Sequence, residues 1–240
     1  MLKNLTRVTL VLMLAVLVAS CSKSSTSSNN TPPTLTAPTF AGPSSTSPTA
    51  DTSFGAQTAV SVAGLFNATS ASYLGFMTGT STQNNGTWTW TATNNGTTAT
   101  WTATAGSSGY DWKLVVSGTW SSNGTNVTVS NWTAISGHES SDGKNGNWTA
   151  YFPGTTLVEF TITWTTDAGG NMSGTIVLND DTGAQQGKYV FTDNKDKSGE
   201  LVVYTGTVET ADIVWLSNGS GHYTEWDDTG TNVIATGTWS

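Results

Sequence analysis

The sequence predicts a mainly β protein: an antiparallel meander of about a dozen strands that forms an up-and-down barrel or a curved sandwich, with one N-terminal helix. Large apolar and small polar residues alternate over residues 86–120. A period of two is typical of strands with one buried and one solvated face. An Asn-Gly dipeptide, which favours two-residue hairpin turns, recurs at 85–86, 95–96, 123–124, 145–146 and 218–219. A Gly-x-Trp triplet recurs at Gly86, Gly118, Gly146 and Gly237.

The first three predicted strands define which face is buried. Trp88, Trp101 and Trp112 fall at matching parity on successive strands, so we expect them to meet in the core. Threonines occupy the opposite parity and are expected to face solvent. Across the chain, the same signals place strands near 86–93, 97–104, 110–120, 125–135, 147–152, 157–165, 172–179, 187–192, 200–207, 210–217, 222–227 and 231–239.

Residues 55–78 break this alternation and predict the helix. Small and apolar residues recur there at spacings of three and four, which is the spacing of one helix face. Asp51 or Thr52 is expected to cap its N-terminus, because a side-chain oxygen there can accept from the first free N–H groups.

The N-terminus has the parts of a signal peptide in order. Lys3 and Arg7 precede an apolar run over residues 8–18, and Cys21, the chain's single cysteine, follows the run. The run is too short to span a membrane, which needs about 20 apolar residues. It has the length of a signal-peptide core, so residues 1–20 are expected to be removed.

Residues 18–21, Val-Ala-Ser-Cys, resemble the lipobox of bacterial lipoproteins. The resemblance implies cleavage before Cys21, a diacylglycerol on its sulfur and an acylated amino terminus, which would hold the protein on a membrane. Ser22 stands where an acidic residue would imply inner-membrane retention, so the resemblance favours the outer membrane. An ordinary secretory signal with an incidental cysteine is the alternative.

Residues 21–50 predict a disordered, lipid-anchored tether, because Ser, Thr, Asn and Pro dominate them and no apolar period is present. Residues 51–240 then form a single β domain. With the lipobox, the tether, the Gly-Thr-Trp opening at Gly86 and the run of hairpins, the chain resembles bacterial outer-membrane lipoproteins with a lipocalin-like or related antiparallel β-barrel.

Composition excludes some partners. The formal net charge is −8 and only 10% of residues are charged, and the one arginine, Arg7, lies in the signal segment. Such a chain is not expected to bind nucleic acid. We expect a monomer that contacts the membrane through its acyl chains and meets a protein or glycan partner.

No local motif predicts catalysis, a metal or a cofactor. His138-Glu139 lacks the second histidine of a zinc-protease motif and is expected in a solvated Gly/Ser loop. Acidic residues cluster in predicted turns, where aspartate is common. Glu159 is expected to face solvent beside Leu157. The protein is therefore expected not to be an enzyme.

Trp132 is the candidate ligand-binding residue. In a regular strand, Trp132 would lie on the same face as Thr128 and Ser130, opposite Val127 and Val129. It would then be exposed, and its ring could stack on a sugar ring. A β-bulge that resets the register, or a local lid contact, is the alternative. The sequence leaves two kinds of function open: a non-enzymatic envelope module for interaction or structure, and a carrier of a small apolar ligand or a glycan.

Overall fold

The computed structural model describes residues 32–35, 39–43, 54–74, 77, 80–122 and 125–240. The predicted signal peptide, the lipid-attachment residue Cys21 and most of the predicted tether lie outside these residues. Packing divides the chain into two compact units. The first unit comprises the described residues of Met1–Ala37 and Ala68–Leu157, and the second those of Pro38–Asn67 and Val158–Ser240.

The structure confirms a mainly antiparallel β fold in up-and-down order with one N-terminal helix, α1 (Phe54–Leu74). The strands of the first unit are β1 (Thr82–Asn84), β2 (Thr87–Asn94), β3 (Thr97–Ala105), β4 (Gly109–Ser122), β5 (Thr125–Ser140) and β6 (Asn145–Tyr151). Those of the second are β7 (Val158–Thr166), β8 (Met172–Asn179), β9 (Gln185–Asp193), β10 (Gly199–Thr205), β11 (Val208–Trp215), β12 (Gly221–Trp226) and β13 (Val233–Trp239). Within each unit every strand pairs with the next. The choice between barrel and sandwich stays a prediction.

The described helix agrees with the predicted one over most of its length. Helix α1 covers most of the predicted helix over residues 55–78, and residues 75–76 and 78–79 lie outside the described residues. Asp51 and Thr52, the predicted caps, lie outside the described residues.

The tryptophan face of the first unit lies in the core, as the alternation predicts. Trp88, Trp101 and Trp112 are all buried. Trp90 pairs directly with Trp101, and both rings lie within about 6.3 Å of the Trp112 ring. Alternation along each strand therefore becomes a continuous aromatic layer across three strands.

Two of the Asn-Gly hairpin turns form as expected. Asn85 and Asn95 have φ values of 47° and 48°, and the glycine after each also has positive φ. This is the backbone that a two-residue hairpin requires. The prediction of a turn at 145–146 is wrong, because those residues begin β6 and the turn lies before them, around Gly143. The dipeptide at 123–124 lies outside the described residues.

Helix α1 packs on the second unit through aromatic contacts. Phe66 is fully buried and meets Phe191 edge-on, with ring centroids 5.2 Å apart. The ring of Phe54 lies 5.7 Å from that of Tyr223. Gly55 permits this approach, since a Cβ there would fall 2.7 Å from the Cβ of Tyr223.

The short segment 39–43 also packs into the second unit. Phe40 is 0% exposed, and its ring stacks on Phe191 at 4.4 Å. The side chain of Asn67 accepts from the Phe40 N–H at 2.9 Å and donates to its carbonyl oxygen at 2.8 Å. Both backbone groups of Phe40 are thus satisfied inside the unit.

This packing corrects one part of the predicted tether. The sequence assigns residues 39–43 to a disordered segment, but the chain is already packed there. Leu35 is buried as well. A stretch rich in Pro and Thr shows no apolar period, so a single aromatic anchor within it leaves no sequence signal.

In the second unit, aromatic side chains lie over glycines on the neighbouring strand. Trp215 pairs with Gly199, and Trp239 pairs with Gly221. A Cβ on either glycine would lie 2.2–2.3 Å from the indole ring. The glycines are therefore needed for close approach of a large ring to the backbone opposite.

Candidate ligand groove

A β-bulge in β5 shapes the candidate site. Ser130 and Asn131 both lie opposite Ser117 of β4, because the register shifts by one residue there. Asn131 has a φ of 49°, and its backbone N–H donates to the Ser117 hydroxyl at 2.9 Å. Asparagine tolerates this left-handed backbone better than most residues, so the sequence fits the bulge locally.

The bulge decides where Trp132 points. Because one extra residue precedes it, Trp132 shares the buried face with Val129 rather than the exposed face with Ser130. It is 7% exposed, and its ring meets that of Trp120 edge-on at 5.2 Å. Of the two sequence interpretations, the structure shows the bulge and not the open stacking surface. A second one-residue shift, beside Ala134, restores the original parity.

A groove of about 960 Å³ opens beside this bulge. Strand β5 supplies most of its lining, and the residues just after β6 supply the other side. The lining residues are Lys113, Thr128, Val129, Ser130, Asn131, Trp132, Thr133, Ser136, Tyr151, Gly154, Thr155, Thr156 and Leu157. Hydroxyl side chains predominate and Asn131 adds one amide, and Tyr151 is the more exposed of the two aromatic rings.

The charge of the groove is opposite to that of the chain. Lys113, an exposed residue of β4, is the one charged side chain among the described lining residues. The chain carries 16 acidic against 8 basic residues. An acidic protein with no carboxylate lining its groove is suited to a neutral or anionic ligand there.

Tyr151 is held at the groove by a hydrogen bond. Its hydroxyl lies 3.1 Å from that of Ser136, and either oxygen can donate. Tyr151 is only half-buried, so part of its ring faces the groove's solvent. Sequence reasoning missed Tyr151 because it lies in the predicted strand 147–152 at the parity opposite to the buried Trp148 and Ala150, where no motif marks it.

The acidic turns are structural. Asp180, Asp196 and Asp227 each accept a hydrogen bond of 2.6 Å from the hydroxyl two residues later. These bonds stabilise the charged carboxylate and lower the pKa of each aspartate. Among the described residues, no group of three or more His, Cys, Asp and Glu side chains converges to hold a metal ion.

Two carboxylates of the second unit behave differently from the turn aspartates. Glu159 is partly buried and not the freely solvated residue that the sequence predicts, and this burial raises its pKa to about 7. Burial also raises the pKa of Asp193, partly offset by a hydrogen bond from the Ala41 N–H at 2.8 Å.

His138 and Glu139 lie in a strand, not in the predicted loop. Both belong to β5, where Glu139 pairs with Tyr110 and with Gly146 on its two sides. Glu139 is buried and His138 is partly exposed, as alternate faces of a strand require.

Among the described residues, no helix combines the length and the apolar character needed to cross a bilayer. Neither a protein-family model nor a curated protein sequence matches this chain. The function is therefore inferred from the groove and its surroundings.

Proposed function

We propose that the protein is a lipid-anchored module of the bacterial cell envelope, held at the outer membrane through Cys21, that binds a glycan as a monomer. The groove beside Trp132 is the binding site. The observation that carries the proposal is this groove of about 960 Å³, whose lining combines hydroxyl groups, the Asn131 amide and the Tyr151 ring, with no carboxylate among the described lining residues.

The chemistry of the lining suits a sugar. A pyranose presents hydroxyl groups at its rim and C–H groups on its faces. Thr128, Ser130 and Asn131 are exposed hydrogen-bonding residues along one side of the groove, and Tyr151 offers a ring face. A small apolar ligand would leave these polar groups without partners, at a cost in binding free energy.

Lys113 determines which ligand charge the groove prefers. Lys113 is the single charged lining residue, so it would pair with a carboxylate of an acidic sugar unit. A neutral sugar would still use the hydroxyl and aromatic contacts. Both kinds of polysaccharide are therefore ligands of the same site, and the acidic one gains more from Lys113.

The membrane anchor rests on the N-terminal sequence. The positive residues, the apolar run and the Val-Ala-Ser-Cys tetrad stand in the order that lipoprotein processing requires. Mass spectrometry of the mature N-terminus should show an acylated Cys21. A Cys21→Ala protein that still fractionates with membranes after a salt wash would contradict the anchor.

Glycan binding is tested by electrophoresis of the purified full chain in gels containing a neutral glucan or a uronic acid polymer. At least one polymer should retard the protein, and Tyr151→Ala should weaken binding about tenfold, or roughly 1.4 kcal/mol. Lys113→Ala should weaken binding of the uronic acid polymer more than that of the glucan.

The matched control is Tyr204→Ala, which removes a half-exposed tyrosine of β10 in the second unit. It should bind like the wild type. If no polymer retards the wild type, or if Tyr151→Ala and Tyr204→Ala behave alike, the groove is not a glycan site.

A further inference from the structure

Three polar side chains outside the groove lie in a connected line. Asp111 of β4 pairs directly with His138 of β5. Asp111 Oδ1 lies 2.8 Å from His138 Nδ1, and Ser108 Oγ lies 3.3 Å from His138 Nε2. The two nitrogens of one imidazole thus contact a carboxylate and a hydroxyl on opposite sides.

These contacts fix the tautomer of the histidine. A carboxylate only accepts hydrogen bonds, so Nδ1 carries the proton that it donates to Asp111. In the neutral imidazole Nε2 is then an acceptor, and Ser108 is its donor. This is the arrangement in which a histidine takes the proton of a serine hydroxyl as that oxygen attacks.

The turn before β4 brings Ser108 to the histidine. Gly106 donates its N–H to the Gly109 carbonyl at 2.8 Å, which closes the turn. Gly109 then lies against β5, where a Cβ would fall 2.0 Å from the Glu139 carbonyl oxygen. Only glycine allows this approach, so the position of Ser108 depends on residue 109.

Two of the three residues, Asp111 and His138, lie next to the groove on the same sheet face. Lys113 pairs with Ser136, and both line the groove. The Asp111–His138 pair is the next pair along the same two strands on that face, a step of about 7 Å. A substituent of a ligand in the groove would have to extend about 7 Å along this face to meet the Asp111–His138 pair.

We infer that Ser108, His138 and Asp111 form a site for hydrolysis of carboxylic esters, and that its substrate is an O-acyl group on the ligand of the groove. The ester chemistry rests on the three residues alone. The identity of the ester's carrier rests on the proposed glycan binding.

The reaction needs only water as second reactant. Ser108 Oγ attacks the ester carbonyl carbon while its proton passes to His138 Nε2. The carbon–oxygen bond to the alcohol breaks, and the alcohol leaves with that proton, which leaves an acyl ester on Ser108. Water then attacks the acyl carbon, His138 takes its proton and returns it to Ser108 Oγ, and the carboxylic acid departs.

The site is open to solvent, which limits its rate. The His138 side chain is 33% exposed and that of Asp111 is 70% exposed. Water reaches the acyl carbon readily, but exposed charges stabilise the transition state less than buried ones. The sequence predicts no enzyme activity because no local motif indicates it, whereas Ser108 and His138 are 30 residues apart and meet only in the folded chain.

The test uses the purified full chain with p-nitrophenyl acetate and with a fluorophosphonate probe. We expect turnover above the blank, and mass spectrometry should find the probe on Ser108. Ser108→Ala and Asp111→Asn should each lower kcat/KM at least tenfold. Ser107→Ala removes the neighbouring exposed serine and should keep the wild-type rate.

Other outcomes would overturn the inference. If Ser108→Ala keeps the wild-type rate while His138→Asn loses it, the imidazole reacts directly and no acyl-serine forms. Absence of probe on Ser108, or equal rates for all variants, also excludes the site. All three residues are partly or largely exposed, so circular dichroism should show folded variants.

The substrate class is tested separately with an O-acetylated polysaccharide. Release of acetate by the wild type but not by Ser108→Ala supports the groove ligand as carrier. Hydrolysis of the small ester without glycan binding would support the ester site and contradict the proposed glycan binding. Glycan binding without ester hydrolysis would support the glycan site and contradict the ester site.

Discussion

The buried faces of the two units differ in one packing arrangement and share another. In the first, tryptophans of successive strands lie beside one another, as Trp90, Trp101 and Trp112 do. Large rings over a glycine of the adjacent strand occur in both units, since Trp148 pairs with Gly137 in the first and Trp215 with Gly199 in the second. The layer of neighbouring tryptophans is therefore the feature that distinguishes the first unit.

This difference shows which buried residues a sequence period of two can predict. The tryptophan layer needs only that neighbouring strands keep their parity, which the alternation itself specifies. The second unit also includes Phe40 and Phe66, which come from a non-strand segment and a helix. Neither follows from strand alternation, because each depends on a partner far away in the chain.

The largest expected effect tests the tryptophan layer. Trp101→Ala should lower the free energy of unfolding by about 3–5 kcal/mol, since it removes a fully buried ring from a packed layer. Urea denaturation of the full chain measures it. Thr91→Ala, on the exposed face of β2, is the control and should cost less than about 0.5 kcal/mol. An effect below 1 kcal/mol for Trp101→Ala would mean that this layer is loosely packed.

A similar effect is expected from the segment that precedes the helix in the second unit. Phe40→Ala should lower the free energy of unfolding by about 3 kcal/mol, because the ring is fully buried against Phe191. Thr39→Ala removes the exposed neighbour and should have almost no effect. If the two variants are equally stable, residues 39–43 do not pack on the second unit and belong to the predicted disordered tether.

The pH dependence of stability tests the partly buried carboxylate Glu159 of the second unit. The pKa of Glu159 in the second unit is raised to about 7 from 4.5. Below pH 4.5 the group is protonated in both states, so burial costs nothing. Between pH 4.5 and 7, Glu159 is ionised in the unfolded state but stays protonated in the folded state. The unfolded state is therefore favoured as the pH rises, and the free energy of unfolding should fall by up to about 3 kcal/mol.

Glu159→Gln should remove that fall, whereas Glu200→Gln, at an exposed position of β10, should keep it. Thermal unfolding of the three proteins between pH 4.5 and 7.5 measures the slopes. Parallel curves for the wild type and Glu159→Gln would show that the carboxylate is solvated.

The smallest effect tests the bulge that distinguishes β5 from the regular alternation. Asn131→Val places a β-branched residue at positive φ and should destabilise the chain by about 1–2 kcal/mol. Asn126→Val, at an exposed site of the same strand outside the bulge, should cost less than about 0.5 kcal/mol. If both variants have the same urea midpoint, Asn131 does not hold the bulge.

The candidate sites were only partly predictable. Trp132 stands out in the sequence as a large ring at a polar parity, and it does line the groove. Its burial could not be read from the sequence, because the extra residue that turns it inward is defined only against β4. Ser108 and His138 are 30 residues apart, so no local motif joins them.

The sequence by itself determined the strand alternation, the buried parity of Trp88, Trp101 and Trp112, and the positive-φ turns at Asn85 and Asn95. These features depend on a few consecutive residues and on sterics within one strand or hairpin. Tertiary structure decided the shifts of register between β4 and β5, the burial of Phe40 and the contact of His138 with Ser108. Each of these depends on the alignment of distant segments, and a shift of one residue exchanges the two faces of a strand.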